Sequence, residues 1–360
     1  QAVSIPVIAT GRISPRAGEE ALRKGHADLI ALARSLLADP YLPTKLADGR
    51  AKDIVPCLYC PACLDPGISA EGARCAVNPA LGHDRELRLR PAGRSKRVVV
   101  IGGGPGGMEA ARVAARRGHE VVLFERRAAL GGRLLPWSGH ESAQASIEQF
   151  RRYLTRQVCQ SGVELRLGVR GSVDLVAAER PDTVVVATGG TSPDFQEPGL
   201  DGEQAIDAIE VLRGRPTGDT VAVIGAEFLG CDVALFLARQ GKSVALLTER
   251  PRPAMEVTQA MAGFFLRELE THGVEQWNRV RFEERVASGV RISDRRGGAV
   301  TVPADSVVRA TEARDRREED ALVNVLESHV PQVLTVGGGS GFLGLTEAID
   351  GGYRAGCAVA

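Results

Sequence analysis

RVVVIGGGPGGMEAARVAARRGHEVVLFE, residues 97–125, decides the fold of this 360-residue chain. The β-branched run after Arg97 reads as a buried strand, the alanine-rich stretch after the glycines as a helix, and the apolar run ending at Glu125 as a second strand. Gly102, Gly104 and Gly107 give G-x-G-x-x-G at the strand-to-helix turn. The first glycine permits the tight turn, the second lets the backbone approach a pyrophosphate, and the third allows close helix-strand packing, with the helix amino terminus facing the phosphates. Glu125 stands 18 residues after Gly107, at the strand end where a carboxylate accepts hydrogen bonds from a ribose. The glycines alone are a weak signal, but strand, turn, helix, strand and terminal Glu together specify a dinucleotide site on an α/β fold.

Downstream, TVAVIGAEFLGCDVALFLARQGKSVALLTER (220–250) repeats the pattern 123 residues later. Gly225 and Gly230 remain, but Glu227 replaces the middle glycine, where its side chain crowds a pyrophosphate and its carboxylate repels one. Two like charges about 4 Å apart cost about 1 kcal/mol in water and several times that in a drier site. Gly118 leads after seven residues to Glu125, whereas Gly241 leads to Thr248, so the ribose-binding carboxylate is absent or displaced to Glu249. A helix is expected near 257–272 and β-like segments near 287–302, followed by DSVVRATEARD (305–315), which echoes DTVVVATGG (182–190). A last strand, QVLTVGGG, and a helix close the chain. This order implies two nested Rossmann-like units: 97–215 plus 314–360 as the first, with 216–313 inserted as an NAD(P)-like second.

Upstream, Cys57, Cys60, Cys63 and Cys75 are spaced C-x2-C-x2-C-x11-C. Three closely spaced thiolates and one more distant can converge on a cubane, because soft sulfur ligands stabilise iron. Segment 51–96 is therefore expected to carry a 4Fe-4S cluster and end in a polar linker from 84. The other cysteines, Cys159, Cys231 and Cys357, are scattered; they read as core residues, and the pattern suits a reducing cytoplasm better than a disulfide framework. Residues 1–50 alternate strand, helix, strand and short helix, as in a parallel α/β barrel. Two such units cannot close a barrel, which needs about eight strands, so a further segment or partner chain is expected to supply the rest.

Composition excludes little and suggests no exotic class: 44% hydrophobic, 25% charged, and zero formal net charge. Nothing there favours nucleic acid or an anionic membrane as a partner. No apolar run reaches the roughly 18 residues of a bilayer span. Histidines 26, 83, 119, 140, 272 and 329 lack metal-ligand spacing, and the charged run 312–320 reads as a solvated face.

A barrel end, a four-cysteine loop with its following Cys75-Ala-Val-Asn-Pro, GGGPGG, Leu130-Gly131-Gly132, ATGG and an inserted second nucleotide fold occur here in one order. In this the chain resembles, over nearly its whole length, the iron-sulfur flavoenzymes that include trimethylamine dehydrogenase and 2,4-dienoyl-CoA reductase, of the NADH:flavin oxidoreductase or old yellow enzyme type. The resemblance implies a TIM-type barrel carrying FMN and a small-molecule substrate, a cluster that takes electrons from FMN, and a carboxy-terminal half holding FAD or ADP. By resemblance, Gly11 and Arg12 in ATGRI and Ala33 and Arg34 in IALARSLLADP hold the FMN phosphate, a role that suits backbone amides and permanent guanidinium charge. Gly131, Gly132, Ala187, Thr188 and Gly189 match the stretches beside the adenine nucleotide.

Where the family has Gly-Asp for the flavin's ribityl chain, this chain has Gly337-Gly338, which leaves the adenine end intact and keeps both FAD and ADP open. Glu227, Thr248, Glu312 and Gly338 together imply that the NAD(P) half has lost its ligand. Electrons are then expected to leave for a protein acceptor, as in an amine or N-methyl dehydrogenase or demethylase. Two other expectations stand beside this: an NAD(P)H-dependent enoate or 2,4-dienoyl-CoA reductase, and a non-catalytic electron-transfer subunit or fragment whose barrel lies on another chain. No catalytic residue is assigned.

Overall fold

In the computed structural model, residues 3–60, 62–64, 73–134, 141–189, 205–255, 257, 259–294, 297–310, 317–337 and 341–359 are described. Thr311, Glu312, Gly338 and Trp137 lie outside them. At the amino end Ile8–Thr10 (β1) and Leu29–Ala31 (β2) pair in parallel, with Pro15–Arg23 (α1) between them. Ser14 caps α1 by accepting the Ala17 amide at 3.2 Å, and Pro15 fills the first helical position, where no amide is needed. Arg34–Ala38 (α2) and Leu42–Ala47 (α3) follow. Buried Asp39 ties α3 to the cysteine segment, accepting Lys45 Nζ at 2.6 Å and the Val55 amide at 2.8 Å.

The decisive stretch forms Arg97–Ile101 (β3), Pro105–Arg116 (α4) and Glu120–Glu125 (β4). Glu141–Gln160 (α5), Glu164–Leu167 (β5), Val173–Ala178 (α6) and Thr183–Val186 (β6) continue the unit. The chain then passes to Ile206–Asp207 (β7), Ala208–Leu212 (α7), Thr220–Ile224 (β8), Phe228–Arg239 (α8), Ser243–Thr248 (β9), Gln259–Thr271 (α9) and Glu275–Asn278 (β10). Val280–Val286 (β11), Gly289–Asp294 (β12) and Ala299–Pro303 (β13) make an antiparallel sheet before Ser306–Arg309 (β14). Arg317–Glu327 (α10), Gln332–Thr335 (β15) and Gly341–Ala358 (α11) return to the start.

Two five-stranded parallel sheets result, ordered β15-β6-β3-β4-β5 and β10-β9-β8-β14-β7. Because β15 pairs with β6, the second sheet lies within the chain path of the first. Strand β7, ahead of residue 216, runs with the second sheet through its pairing to β14. The sequence reading foresaw neither α5 nor β11.

The repeat is kept bond for bond. The Gly102 amide donates to Phe124 O and the Gly225 amide to Leu247 O; the Ala187 amide donates to Ile101 O and the Ala310 amide to Ile224 O. Asp182 accepts the Arg97 amide at 2.8 Å, and Asp305 accepts the Thr220 amide at 3.1 Å. Each pair of positions differs by 123.

Val98, Val99 and Val100 are fully buried, which explains the unbroken apolar run: a parallel strand covered on both faces has no polar side. Helix α11 closes on α4 where a Cβ on Gly352 would lie 2.2 Å from Gly106 O and one on Gly356 would lie 2.7 Å from Val113. Leu58, Cys60, Ala62 and Val77 share a core with Met108 of α4 and Phe150 and Leu154 of α5, so the cysteine segment is packed onto the first unit. Two expectations change. Cys231 is buried in the second core and Cys357 is half-buried, but Cys159 is exposed on the outer face of α5. Glu319, in the run read as solvated, is buried because it accepts a hydrogen bond from Thr188 Oγ1 at 3.0 Å.

Candidate functional site

At the carboxyl end of the first sheet a cleft of about 1160 Å³, partly open to solvent, is lined by Gly102, Gly104, Glu125, Gly132, Thr188 and Gly189 among others. Gly131 adjoins it, its amide donating to Gly103 O at 2.9 Å. The structure thus gathers the residues singled out around the first glycine motif. A second chamber shares Gly102, Glu125, Thr188 and Gly189 and continues to Gly171, Ser172 and Glu319. The far wall of the first comes from the other unit: Ile209, Leu212, Phe228, Leu229 and Asp232. Sequence spacing carried no sign of that wall.

The three motif glycines serve different ends. Gly102 has φ +110°, and a Cβ there would lie 2.2 Å from Ala187 O; a Cβ on Gly107 would lie 2.0 Å from Gly102 O. Both are glycine because the protein's own backbone fills the space. Gly104 is different: its φ of −73° and ψ of 177° suit any residue, and nothing lies within 4 Å of a Cβ built there. It heads α4 with no side chain capping the helix. An open position at an uncapped helix amino terminus is what an approaching diphosphate needs.

Glu125 is buried at the end of β4. Its Oε2 accepts the Gly103 amide at 2.7 Å and its Oε1 the Arg127 amide at 2.8 Å, so the carboxylate is fixed while lone pairs remain for a ribose. Gly103, which the spacing argument passed over, is glycine because a Cβ would lie 2.6 Å from Leu130 and 3.0 Å from Glu125 Oε2. The run of three consecutive glycines was its only signal.

The second crevice, lined by Gly225, Glu227, Thr248, Glu249 and Arg250, has the same skeleton with other contents. Glu227 heads α8 with φ −69° and ψ −176°, nearly the conformation of Gly104. Thr248 Oγ1 accepts the Arg250 amide at 3.1 Å, as Glu125 accepts that of Arg127. The expected repulsion by Glu227 is modified: Arg250 Nε donates to Glu227 Oε1 at 3.1 Å, so the carboxylate is paired by a half-exposed guanidinium while the crevice itself stays open.

The four cysteines of 57–75 lie within one another's electrostatic influence in every pairing. Burial pushes the Cys60 thiol up to about 12 and that of Cys75 up to about 11, while the amide of Ala62 and those of Val77 and Asn78 pull the other way. Burial also raises Cys57, against the Tyr59 amide, which donates to its Sγ at 3.3 Å, and against Arg34 and Arg12. Among the described residues no group of three or more His, Cys, Asp or Glu side chains is gathered to hold a single metal ion. Four soft donors close enough to influence one another, with amides acting on three of them, are the donor set a cluster that spreads its ligands over four corners would need. Arg12 and Arg34, at the ends of β1 and β2, both approach the ring of Tyr59, at 5.3 and 5.4 Å from its centroid. Gly11 beside them has φ +94° and open space about it, and Ala33 heads α2.

This fold and these paired crevices are those of two nested Rossmann-like units, a nucleotide-binding architecture. Residues 96–326 match the pyridine nucleotide-disulphide oxidoreductase family, and residues 1–53 match the NADH:flavin oxidoreductase / NADH oxidase family. The chain belongs to the first of these families, joined to a segment of the second. The bilirubin reductase of Mediterraneibacter gnavus is 34% identical over 360 residues, covering 99% of this chain and 55% of that protein. The N,N-dimethylglycine/sarcosine dehydrogenase of Chromohalobacter salexigens is 34% identical over 71% of this chain and 39% of its own length. The solved 2-naphthoyl-CoA reductase in complex with 2-naphthoyl-CoA superposes with a TM-score of 0.90 at 32% identity, covering 99% of this chain and 55% of that one. The resemblance to the group of trimethylamine dehydrogenase and 2,4-dienoyl-CoA reductase therefore holds, and the chain spans about half the length of the relatives it matches. Among the described residues no helix is long and apolar enough to cross a membrane.

Proposed function

We propose that this chain is the electron-transferring portion of an iron-sulfur flavoprotein oxidoreductase, holding an adenine nucleotide in its first crevice and passing electrons to a protein acceptor without using NAD(P)H. One observation carries the reading. Gly104 and Glu227 share a backbone conformation, yet the first has no side chain at its helix terminus and the second carries there a carboxylate paired with Arg250.

In this reading Gly104 and the amino end of α4 take the diphosphate, Glu125 orients the ribose, and Gly131, Gly132, Ala187, Thr188 and Gly189 border the nucleotide. Apolar Ile209, Leu212 and Phe228 at the far wall are surfaces on which a flavin ring could rest, which suits FAD. Gly11, Arg12, Ala33 and Arg34 supply part of a phosphate site for FMN, whose remaining contacts belong to a barrel continued by another segment or partner chain. Ile8 and Leu29, both more than half exposed, are the apolar strand residues such a continuation would cover. Cys57, Cys60, Cys63 and Cys75 would ligate the 4Fe-4S cluster. Bound there, a cluster supplies single-electron acceptance beside a two-electron flavin. The substrate class favoured is an amine or N-methyl compound.

A second reading, an NAD(P)H-dependent enoate or thioester reductase, is favoured by the names of the bilirubin and 2-naphthoyl-CoA reductases. It requires the Glu227–Arg250 pair to open. The test is extraction and chromatography of bound nucleotides, with visible bleaching by NADH and NADPH followed in parallel. An adenine nucleotide with no bleaching is the expected result; rapid bleaching by either reductant would replace the first reading with the second.

A further inference from the structure

Tyr59 lies between two proposed cluster ligands, and nothing in the mechanism above uses it. Its backbone has φ +53°, a left-handed conformation that a bulky L side chain rarely adopts. Its neighbour in space, Arg12, is also left-handed at φ +34°. Such conformations persist where surrounding contacts over-determine them, and they gather at functional sites. Here the contact is visible. The guanidinium carbons of Arg12 and Arg34 lie 5.3 and 5.4 Å from the centroid of the half-buried Tyr59 ring, within the range of cation–π attraction. Among the described residues no carboxylate pairs with either guanidinium.

One ring therefore holds two permanent charges that come from different strand ends, Arg12 after β1 and Arg34 after β2. It holds them beside Cys57, whose sulfur receives the amide of the same Tyr59. Fixed cations near an iron-sulfur centre favour the state carrying one more electron, because potential follows the net charge and hydrogen bonding around the sulfurs. An arginine attracted through its cationic plane also keeps N–H groups for a phosphate.

We propose that Tyr59 is a positioning residue: its ring fixes Arg12 and Arg34 at the Cys57 corner, raising the reduction potential of the cluster. This rests on the cluster reading of the cysteines. The test uses the full chain, reconstituted anaerobically with iron and sulfide, as wild type, Tyr59→Phe, Tyr59→Leu and the double variant Arg12→Gln/Arg34→Gln. The readouts are iron content and the midpoint potential from an EPR-monitored redox titration.

Tyr59→Phe keeps an aromatic face and should leave the potential where it was. Tyr59→Leu should shift it to more negative values, and the double variant should shift it further, by about tenfold in electron affinity, ~59 mV for a one-electron step. Full iron content with an unmoved potential in Tyr59→Leu overturns the proposal. Should Tyr59→Leu not retain iron, the double variant decides in the same way, since it leaves the cysteine loop untouched. A wild-type chain that takes up no iron overturns the cluster reading and this proposal together, whereas four irons with unmoved potentials overturn the proposal alone.

Discussion

The two crevices share one backbone and differ in the side chains that line them. At 123-residue spacing the strands, the turn hydrogen bonds and the cap conformations recur, and so does the acceptance of an arginine amide by Glu125 Oε1 in one unit and Thr248 Oγ1 in the other. What changes is side-chain volume and charge. Gly104 becomes Glu227, Glu125 becomes Thr248, and Arg250 turns to Glu227. The third glycine of each motif serves the fold, because the protein's own backbone fills the space beside it, whereas the middle position, glycine only in the first motif, lies open where a ligand is proposed to approach.

Substitutions at the third glycine should break both units alike. A Cβ at Gly107 would lie 2.0 Å from Gly102 O, and one at Gly230 would lie 1.8 Å from Gly225 O, backbone atoms that cannot move aside. Gly107→Ala and Gly230→Ala are each expected to cost about 3 kcal/mol or more, measured by urea denaturation. A near-neutral Gly230→Ala would mean that the second unit relaxes in ways the first does not.

Copying the second crevice onto the first is the next largest effect. Gly104→Glu places a carboxylate where the phosphates are proposed to sit, without disturbing the backbone. Adenine-nucleotide affinity should fall at least 100-fold, about 2.8 kcal/mol, by calorimetric titration with ADP and FAD, with little change in the melting temperature of the nucleotide-free protein. Equal binding by wild type and variant would remove Gly104 from the site.

The reverse substitution is smaller. Glu227→Gly frees Arg250 and opens the second helix terminus, but Thr248 still lacks the ribose-binding carboxylate. We expect about a tenfold gain in NADPH affinity, ~1.4 kcal/mol, by fluorescence titration. No gain would shift the obstacle from Glu227 to the missing carboxylate, and Glu227→Gly/Thr248→Glu then tests that directly with NADH.

The smallest contrast is in acid sensitivity. His119 and Lys242 occupy equivalent turns before β4 and β9. Lys242 Nζ donates to Thr217 O and Gly218 O, whereas His119 Nδ1 accepts the Lys96 amide at 3.2 Å, and its pKa is lowered from 6.5 by burial, then by Arg117 and Lys96, against Asp182. A depressed folded-state pKa means the unfolded chain binds the proton more readily. This contribution is therefore complete above about pH 6.5 and is lost as pH falls below it. His119→Gln should flatten that part of the Tm profile between pH 7.5 and 5; an unchanged slope would assign it to other groups.

Much of this was legible in the residues themselves. The parallel strands show as apolar runs because both faces are covered, the turns show as glycines because no side chain fits, and the altered second motif shows as Glu227 and Thr248 because ligand sites tolerate few residue types. Other features left no local trace. Glu319 reads as solvated until Thr188 is brought against it, and Gly103 has no distinctive spacing until Leu130 and Glu125 fold over it.

From sequence alone came the two nested α/β units, the four-cysteine segment and the altered residues of the second motif, all properties of neighbours along the chain. Only the tertiary structure decided that Glu227 is paired with Arg250, that α8 walls the first cleft through Phe228 and Asp232, and that Arg12 and Arg34 meet on Tyr59. Those contacts join residues 22 or more positions apart. A side chain's partner at that distance is chosen by packing of whole elements, which no local pattern encodes.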